Sequence, residues 1–150
     1  MPLLSVAVLA LLIGAPPALA RDWARPVGGD VVKAFDYDRA SPFAGGRHRG
    51  VDLAARAGES VRAPCAGVVT FAGRVPARGR GVTIRCGTLA ATLVELGHVR
   101  VRRAERVGRG DRVGRAGPRA VHLGARNVGE AFAYVDPTKF FDRRAPQLGP

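Results

Sequence analysis

Short apolar stretches recur along this chain between turns that are rich in Gly, Pro and Arg, and few segments show helical periodicity. Many short strands with turn signals at this spacing are typical of an all-β sandwich or barrel. We therefore predict an all-β fold with a compact antiparallel β-sandwich or barrel-like sheet core and short loops. The predicted strands are Val51–Ala54, Val61–Ala63, Val68–Ala72, Val82–Ile84, Thr92–Leu96, Val99–Val101, Val113, Val121–Leu123 and Ala133–Val135.

The segments that flank these strands have different characters. Residues 21–41 are predicted to be an irregular lead-in. Gly108–Asp111 has the composition of a tight turn, Asp136–Phe141 is predicted to form a closing helical turn, and residues 143–150 are predicted to be a frayed tail. The side chains that are expected to pack the lead-in on the sheet are Trp23, Val27, Val31, Val32 and Phe35.

The first 20 residues have the features of an export signal. An apolar run from Leu3 to Ile13 is followed by small residues and by Ala18-Leu19-Ala20, which predicts a signal peptide cleaved before Arg21. A membrane anchor is the alternative, but it needs about 20 apolar residues, and two prolines interrupt the run before that length. We therefore expect a secreted protein that acts outside the cytoplasm and keeps no membrane span after cleavage.

Size and charge limit the class of protein and of partner. The chain of 150 residues has the usual length of one domain, and its 47% hydrophobic content excludes a disordered protein. The formal net charge is +12, and residues 61–130 contribute +10 of it, from 14 basic and 4 acidic residues. Such a surface attracts anionic polymers. Because the chain is predicted to be exported, a cell-wall polymer is favoured over nucleic acid, although charge alone does not exclude a merely solubilising surface.

Cys65 and Cys86 are the two cysteines of the chain. An even number of cysteines in an exported protein favours a disulfide. Both cysteines adjoin predicted strands that a Gly/Arg/Pro-rich segment joins, so they would face each other across an antiparallel hairpin. Zinc binding is the competing interpretation, but two distant cysteines without a Cys-x-x-Cys pair make a poor zinc site.

The three histidines, His48, His98 and His122, are the candidates for chemistry. His48 precedes Asp52 by four residues, and imidazole and carboxylate both bind zinc at about 2.0–2.2 Å. A straight strand would separate the two residues by roughly 13 Å, but Gly50 lies between them and permits a bend. A third ligand would come from His98 or His122. Without further context, a surface hydrogen-bonded pair is the favoured interpretation of His48 and Asp52.

Three stretches of the sequence, in order, resemble the lysostaphin-type zinc peptidoglycan endopeptidases (metallopeptidase family twenty-three). The first resembles the family's H-x-G-x-D motif and the hairpin that follows it, the second its Y-x-H-L motif and a later glycine turn, and the third its terminal H-x-H strand. The stretches are His48–Ala55 with Gly58–Pro64 and Ala66–Val69, then Leu96–Val99 with Arg106–Gly114, and finally Val121–Arg126 with Tyr134–Pro137. The resemblance covers roughly residues 42–142, which we take as the peptidase-like domain.

The resemblance implies a lysostaphin-type fold and a Zn²⁺ site. His48, Asp52 and His122 match the three zinc ligands of the family. His98 matches the histidine of the second motif, which implies that it assists the attacking water and stabilises the oxyanion as a catalytic residue. Ala120 stands where the family has the first histidine of H-x-H, and Leu96 stands in place of its tyrosine. An alternative register would align Gly124 with the zinc histidine and remove the third ligand.

These observations leave three hypotheses of function. The first is an exported zinc endopeptidase that cuts the peptide cross-links of bacterial peptidoglycan. The second is a catalytically impaired relative that binds zinc or the cell wall and regulates or scaffolds another hydrolase, and Ala120 favours it. The third, a nucleic-acid-binding module, explains the basic middle section but none of the histidines, so we expect no nucleic-acid partner.

Overall fold

The computed structural model of the protein describes residues 22–141. The predicted signal peptide and tail lie outside this range. Within it, ten strands and one short 3-10 helix form the regular structure, without an α-helix, and none of the described residues forms a helix suited to crossing a membrane. The strands are β1 (Val31–Lys33), β2 (Val51–Leu53), β3 (Ser60–Arg62), β4 (Gly67–Arg74), β5 (Arg80–Cys86), β6 (Leu89–Val99), β7 (Arg106–Val107), β8 (Arg112–Ala116), β9 (Val121–Asn127) and β10 (Tyr134–Val135).

The strands form one antiparallel arrangement. Along the main path their order is β1-β2-β9-β6-β5-β4-β7, while β10 pairs with β9, and β8 pairs with both β3 and β6. Each pairing between two of these strands is antiparallel. The predicted all-β antiparallel fold is therefore confirmed.

The longest strand, β6, connects two parts of the structure. Up to Val94 it pairs with β9, and from Leu96 onward it pairs with β8. Between these two regions Glu95 has a positive φ of 66°, and the register of β6 against β5 shifts across it. A β-bulge bends a strand and re-aims its side chains. The bulge at Glu95 therefore lets one continuous strand leave β9 and continue beside β8.

The core is formed by the inward-facing residues of the long strands. β-branched and leucine side chains suit this packing because they fill the pleated surface well. The fully buried side chains include Leu53, Val61, Val82, Ile84, Leu93, Val113, Val121 and Leu123. Strands β2, β6 and β9 contribute Leu53, Leu93 and Leu123, so the centre of the sheet is anchored on both sides of β9.

The lead-in packs on the domain only in part as predicted. Trp23 and Val27 are buried, and the Trp23 ring lies 5.1 Å from the ring of Phe140. The prediction was wrong for Val31 and Val32, which are 38% and 61% exposed. Both belong to the edge strand β1, which is joined to β2 through its backbone and has solvent along its free side, so their side chains do not reach the core.

Some local predictions are confirmed and others are not. The turn at Gly108–Asp111 is present, with a hydrogen bond of 3.1 Å from the Asp111 amide to the Gly108 carbonyl. The closing helical turn is a 3-10 helix at Pro137–Phe140, whose first turn is capped by Asp136. Of the two strands predicted around residues 92–101, Thr92–Leu96 lies within β6, whereas Val99–Val101 overlaps β6 only at Val99 and is otherwise not a strand. The very short β7 was not predicted, because two residues give no readable alternation.

Cys65 and Cys86 form the predicted disulfide, with their Cα atoms 6.0 Å apart. Cys65 lies two residues before β4, and Cys86 is the last residue of β5. The bond therefore closes the open end of the β4–β5 hairpin, opposite the turn formed by residues 75–79. It stabilises the protein mainly by restricting the unfolded chain.

We expect the double variant Cys65→Ser/Cys86→Ser to lose about 3 kcal/mol of unfolding free energy, because the cysteines are 21 residues apart and a closed loop of that length loses this much entropy in the unfolded state. Urea unfolding under oxidising conditions measures the change. A reducing agent should weaken the natural protein to the same extent and leave the double variant unchanged. Equal urea midpoints for the oxidised protein and the double variant would contradict this assignment.

Candidate metal centre

The structure brings His48, Asp52 and His122 together. One ligand atom of each lies within 4.8 Å of the others. His48 belongs to an isolated bridge with Asp36, whose backbone it meets through two hydrogen bonds of 2.7 and 2.9 Å. Asp52 lies in β2 and His122 lies opposite it in β9, so the register of these strands makes them neighbours. Segments far apart in the sequence thus supply the cluster.

Oxygen Oδ1 of Asp52 is the centre of the cluster. It lies 2.7 Å from Nδ1 of His122 and 3.1 Å from Nε2 of His48. The other ring nitrogen of His48, Nδ1, lies 2.9 Å from the Ala34 carbonyl oxygen. Because a carbonyl only accepts, Nδ1 of His48 carries the proton, and in the neutral ring the lone pair of Nε2 faces Asp52.

This donor set fits a zinc ion. A lone pair and a carboxylate oxygen repel each other unless a cation or a proton lies between them, so a cation held between His48 and Asp52 would be stabilised by both. Zinc bonds of about 2.0–2.2 Å at tetrahedral angles separate ligand atoms by roughly 3.4 Å, so the observed distances need only a small opening. The hydrogen bond to Ala34 also fixes the orientation of the His48 ring, as an outer partner of a zinc histidine does.

The protonation of His122 suits the same role. Burial is the main cause that lowers the pKa of its imidazole; the hydrogen bond to Asp52 opposes the shift, and the positive charge of Arg78 adds to the lowering. A lowered pKa favours the neutral ring at neutral pH. Only the neutral imidazole offers a lone pair to a metal.

Gly50 makes the cluster possible by its small size. A Cβ at this position would lie 2.3 Å from the Leu123 carbonyl oxygen and 2.7 Å from Nε2 of His122. The sequence led us to expect a flexible bend at Gly50. A bend is present, and the close approach of β9 is a second and stronger reason for glycine, because any side chain would displace His122.

A cavity of about 400 Å³ opens beside the cluster. Its wall contains His48, His122 and Phe43, together with three arginines that come from two segments. They are Arg47, Arg49 and Arg78. Arg47 pairs with Asp36 at 2.7 Å, whereas Arg49 donates to the Pro42 carbonyl and stacks on the rings of Tyr37 and Tyr134 at 5.6 and 5.0 Å.

The structure places His98 away from this cluster. It is exposed near the end of β6 and pairs with Arg115 of β8. Val94 is the residue of β6 that lies opposite His122, and four residues of strand span roughly 13 Å. His98 is absent from the cavity wall among the described residues. Its catalytic assignment stays a prediction that the placement does not favour.

Sequence reasoning missed Arg78 and Glu95. Arg78 lies in the turn between β4 and β5, inside a segment whose Gly, Pro and Arg content indicated only a turn. Its Nε lies 3.2 Å from Oε1 of Glu95. No spacing in the sequence signals this contact, because the bulge that aims Glu95 depends on how β6 meets two other strands.

Residues 46–133 match peptidase family M23. The chain belongs to this family. The peptidases of family M23 depend on zinc, so the match and the His48–Asp52–His122 cluster point to the same cofactor. No curated protein matches the sequence closely enough to count as a relative.

Solved structures share the fold of this M23 chain. Csd3 from Helicobacter pylori has 22% identity and a TM-score of 0.70, and the match covers 81% of this chain and 35% of that one. A zinc-containing peptidase from Vibrio cholerae has 20% identity and a TM-score of 0.66, over 79% and 40% of the two chains. The present chain therefore spans well under half of each of these proteins.

A further structure matches a separate catalytic domain. It is the catalytic domain of EnpA, a prophage-encoded M23 protein from Enterococcus faecalis, in a mutant where histidine replaces an alanine. The identity is 27% and the TM-score is 0.60, over 77% of this chain and 95% of that one. Family and neighbours together indicate the fold of an M23 peptidase.

We expect the substitution Gly50→Ala to reduce zinc affinity by roughly 10- to 100-fold or more, the range for a lost outer partner of a ligand, because the new Cβ displaces the His122 ring. Competition with a chromophoric chelator measures the affinity, and thermal unfolding checks that the variant is folded.

Gly124→Ala is the matched control for Gly50→Ala. Its Cβ would meet no atom closer than 3.5 Å, which is ordinary contact with the Arg49 carbonyl oxygen. This variant should bind zinc like the natural protein. If the two alanine variants bind zinc equally well, Gly50 is not needed for the geometry of the site.

Proposed function

We propose that this M23 chain is an exported zinc metalloendopeptidase that acts on the peptide cross-links of bacterial peptidoglycan. The single observation that carries the proposal is the His48–Asp52–His122 cluster beside an open cavity, whose wall contains both histidines. Two imidazoles, one carboxylate and access for water are the composition of a catalytic zinc site rather than of a closed structural one.

The residues of the chain have separate tasks in this proposal. His48, Asp52 and His122 would hold the ion, which supplies a Lewis acid for the scissile carbonyl and the attacking water. The Ala34 carbonyl accepts from Nδ1 of His48 and so turns Nε2 toward Asp52, and the strand pairing of β2 with β9 keeps Asp52 beside His122. The assisting role predicted for His98 would require it to approach the cavity from its exposed position on β6.

The cavity suits a peptide in size and lining. Its volume of about 400 Å³ lies in the range of ligand sites, which is about 300–1,000 Å³. Phe43 is 78% exposed in its wall and packs edge-on against Phe132, with ring centroids 5.1 Å apart. An exposed aromatic face beside polar groups offers apolar contact to a substrate chain while the arginines contact its polar groups.

Charge and the predicted signal peptide favour a cell-wall partner. The excess of +10 in residues 61–130 is carried by arginines on strands and loops around the sheet. An anionic wall polymer would be attracted by this surface and held near the cavity. Members of family M23 are typically extracellular, which agrees with the signal peptide predicted in residues 1–20.

A second function is favoured by one specific observation. Within the described residues, the cavity wall contains no histidine besides His48 and His122, and Ala120 stands at the position of a catalytic histidine of the family. A chain that keeps the ligands and lacks the proton-handling groups would bind zinc and the wall, and would regulate or scaffold another hydrolase. We place the enzyme first because the ligand set is complete.

Substitution of the ligands tests the zinc site. We expect His122→Ala to lower the zinc affinity by more than the roughly 10- to 100-fold that loss of an outer partner costs, because one of three ligands disappears. His98→Ala should retain stoichiometric zinc, since His98 lies outside the cluster. Metal analysis of the purified proteins measures the zinc content of each variant. Equal loss in the two variants would overturn the ligand assignment made here.

Release of new amino termini from purified peptidoglycan tests the activity. We expect the zinc-loaded protein to cut slowly and Ala120→His to raise the rate by about 10²–10⁴-fold, the usual contribution of a general acid–base group. Removal of zinc by a chelator should abolish both activities.

The double variant Ala120→His/His122→Ala is the control for this experiment, because it adds a histidine and removes a ligand. It should be inactive. If the natural protein binds zinc and releases nothing while Ala120→His is active, the scaffold function replaces the enzymatic one. If neither protein releases amino termini, peptidoglycan cross-links are not the substrate.

A further inference from the structure

The side chain of Arg78 has an arrangement that the zinc chemistry does not explain. It lines the cavity together with His122, and its positive charge acts on the His122 imidazole. Its Nε donates to Oε1 of Glu95 at 3.2 Å. Within residues 22–141 no acceptor is bonded to its two terminal amino groups, Nη1 and Nη2. The guanidinium is therefore held at one edge while its outer pair of nitrogens stays available.

Glu95 is fixed as firmly as its partner. Its amide donates to the Arg78 carbonyl at 3.2 Å, and its own carbonyl accepts from the Gly117 amide at 2.9 Å. The backbone of Glu95 has a φ of 66°, which residues other than Gly, Asn or Asp rarely adopt. Its carboxylate is mostly buried, with a side-chain exposure of 16%. The bulge thus aims a mostly buried acid at an arginine beside the cavity.

The turn that carries Arg78 is also held in place. The Val75 amide donates to the Gly79 carbonyl, and the Arg78 amide donates to the Val75 carbonyl, at 2.9 and 3.0 Å. Arg78 is therefore joined to β6 through its backbone and its side chain at once. Such a support reduces the entropy that a long side chain loses when it binds a ligand.

The free edge of a guanidinium matches a carboxylate. Two parallel N–H groups donate to the two carboxylate oxygens, and this bidentate pair is among the stronger hydrogen-bonded contacts in proteins. Of the other two arginines in the wall, Arg47 is paired with Asp36 and Arg49 stacks between tyrosines. Among the residues that the structure describes, the wall contains no acidic side chain, so Glu95 is the acidic partner of Arg78 and leaves its outer edge open.

We propose that Arg78, positioned by Glu95, binds a free carboxylate of the substrate peptide in the cavity beside His48, Asp52 and His122. This inference rests on the proposed function, since it takes the cavity as the peptide site, and it adds the substrate class: a peptide that carries a carboxylate close to the scissile bond. The carboxylate is either the C-terminus of the peptide or an acidic side group. Arg78 contacts the substrate, and Glu95 is a positioning residue.

Binding of three acetylated, alanine-based pentapeptides to the zinc-loaded full chain tests the proposal. One has a free C-terminal carboxylate, one has a C-terminal amide, and one has the amide and an internal glutamate. Titration followed by NMR gives Kd without any need for hydrolysis. We expect at least one carboxylate peptide to bind about 10-fold more tightly than the neutral peptide, as a charge-assisted hydrogen bond predicts. The tighter of the two acidic peptides identifies the source of the carboxylate.

Three variants assign this preference to a residue. Arg78→Gln should bring all three Kd values within about twofold of one another, and Glu95→Gln should weaken the preference severalfold because the guanidinium is no longer held. Arg80→Gln removes the same charge two residues away, from an exposed position, and should keep the full preference. Thermal unfolding and zinc content confirm that each protein is folded and loaded.

The outcomes separate this inference from the proposed function. A preference that persists in Arg78→Gln would mean that zinc or another group binds the carboxylate, and it would overturn the proposal, as would equal binding of all three peptides by the natural protein. An unchanged preference in Glu95→Gln would remove the positioning role. If the preference depends on Arg78 but peptidoglycan is not cut, the enzymatic function fails and the carboxylate site stands. If peptidoglycan is cut but the preference does not depend on Arg78, the enzymatic function stands and the carboxylate site fails.

Discussion

The contact between Asp52 and His122 depends on the register of β2 against β9. Side chains alternate along a strand, so a slip of one residue would turn His122 away from Asp52. The register is fixed by the neighbouring pairs Val51↔Leu123 and Leu53↔Val121, and all four of these side chains are buried. The energy that holds the candidate ligands together is therefore mostly the hydrophobic energy of the core beneath them, and the contact of imidazole with carboxylate adds to it.

The site also depends on parts of the chain that carry no reactive group. Ala34, which follows the edge strand β1, orients His48 through its carbonyl oxygen. Arg49 stacks against Tyr37 from the lead-in and Tyr134 from β10, and so ties the segment between His48 and Asp52 to both ends of the domain. The lead-in is thus part of the support of the site, although its own strand is short and exposed.

The fold and the grouping of the candidate ligands could be predicted from sequence because each has a local signal. Apolar stretches between turns predicted the strands, and the spacing of His48 and Asp52 in a recognisable motif predicted the ligands. His98 has the same residue type but a different position, since β6 leaves β9 at the Glu95 bulge and turns toward β8. Arg78 and Glu95 are 17 residues apart and are joined by that bulge. No local sequence pattern predicts a contact that depends on how three strands pair with one another.

The positive charges around the cavity are only partly balanced by acidic side chains. Arg78 is balanced by Glu95 and Arg47 by Asp36, while Arg49, which donates to the Pro42 carbonyl and contacts two tyrosine rings, has no acidic partner among the described residues. A divalent cation on His48, Asp52 and His122 would bring two positive charges against the single charge of Asp52. The loaded cavity would then carry a positive excess in a partly enclosed space, where electrostatic interactions are stronger than in bulk water. A neutral peptide leaves this excess unbalanced, whereas a peptide with a carboxylate reduces it, so the charges of the site favour an acidic substrate independently of the shape of the cavity.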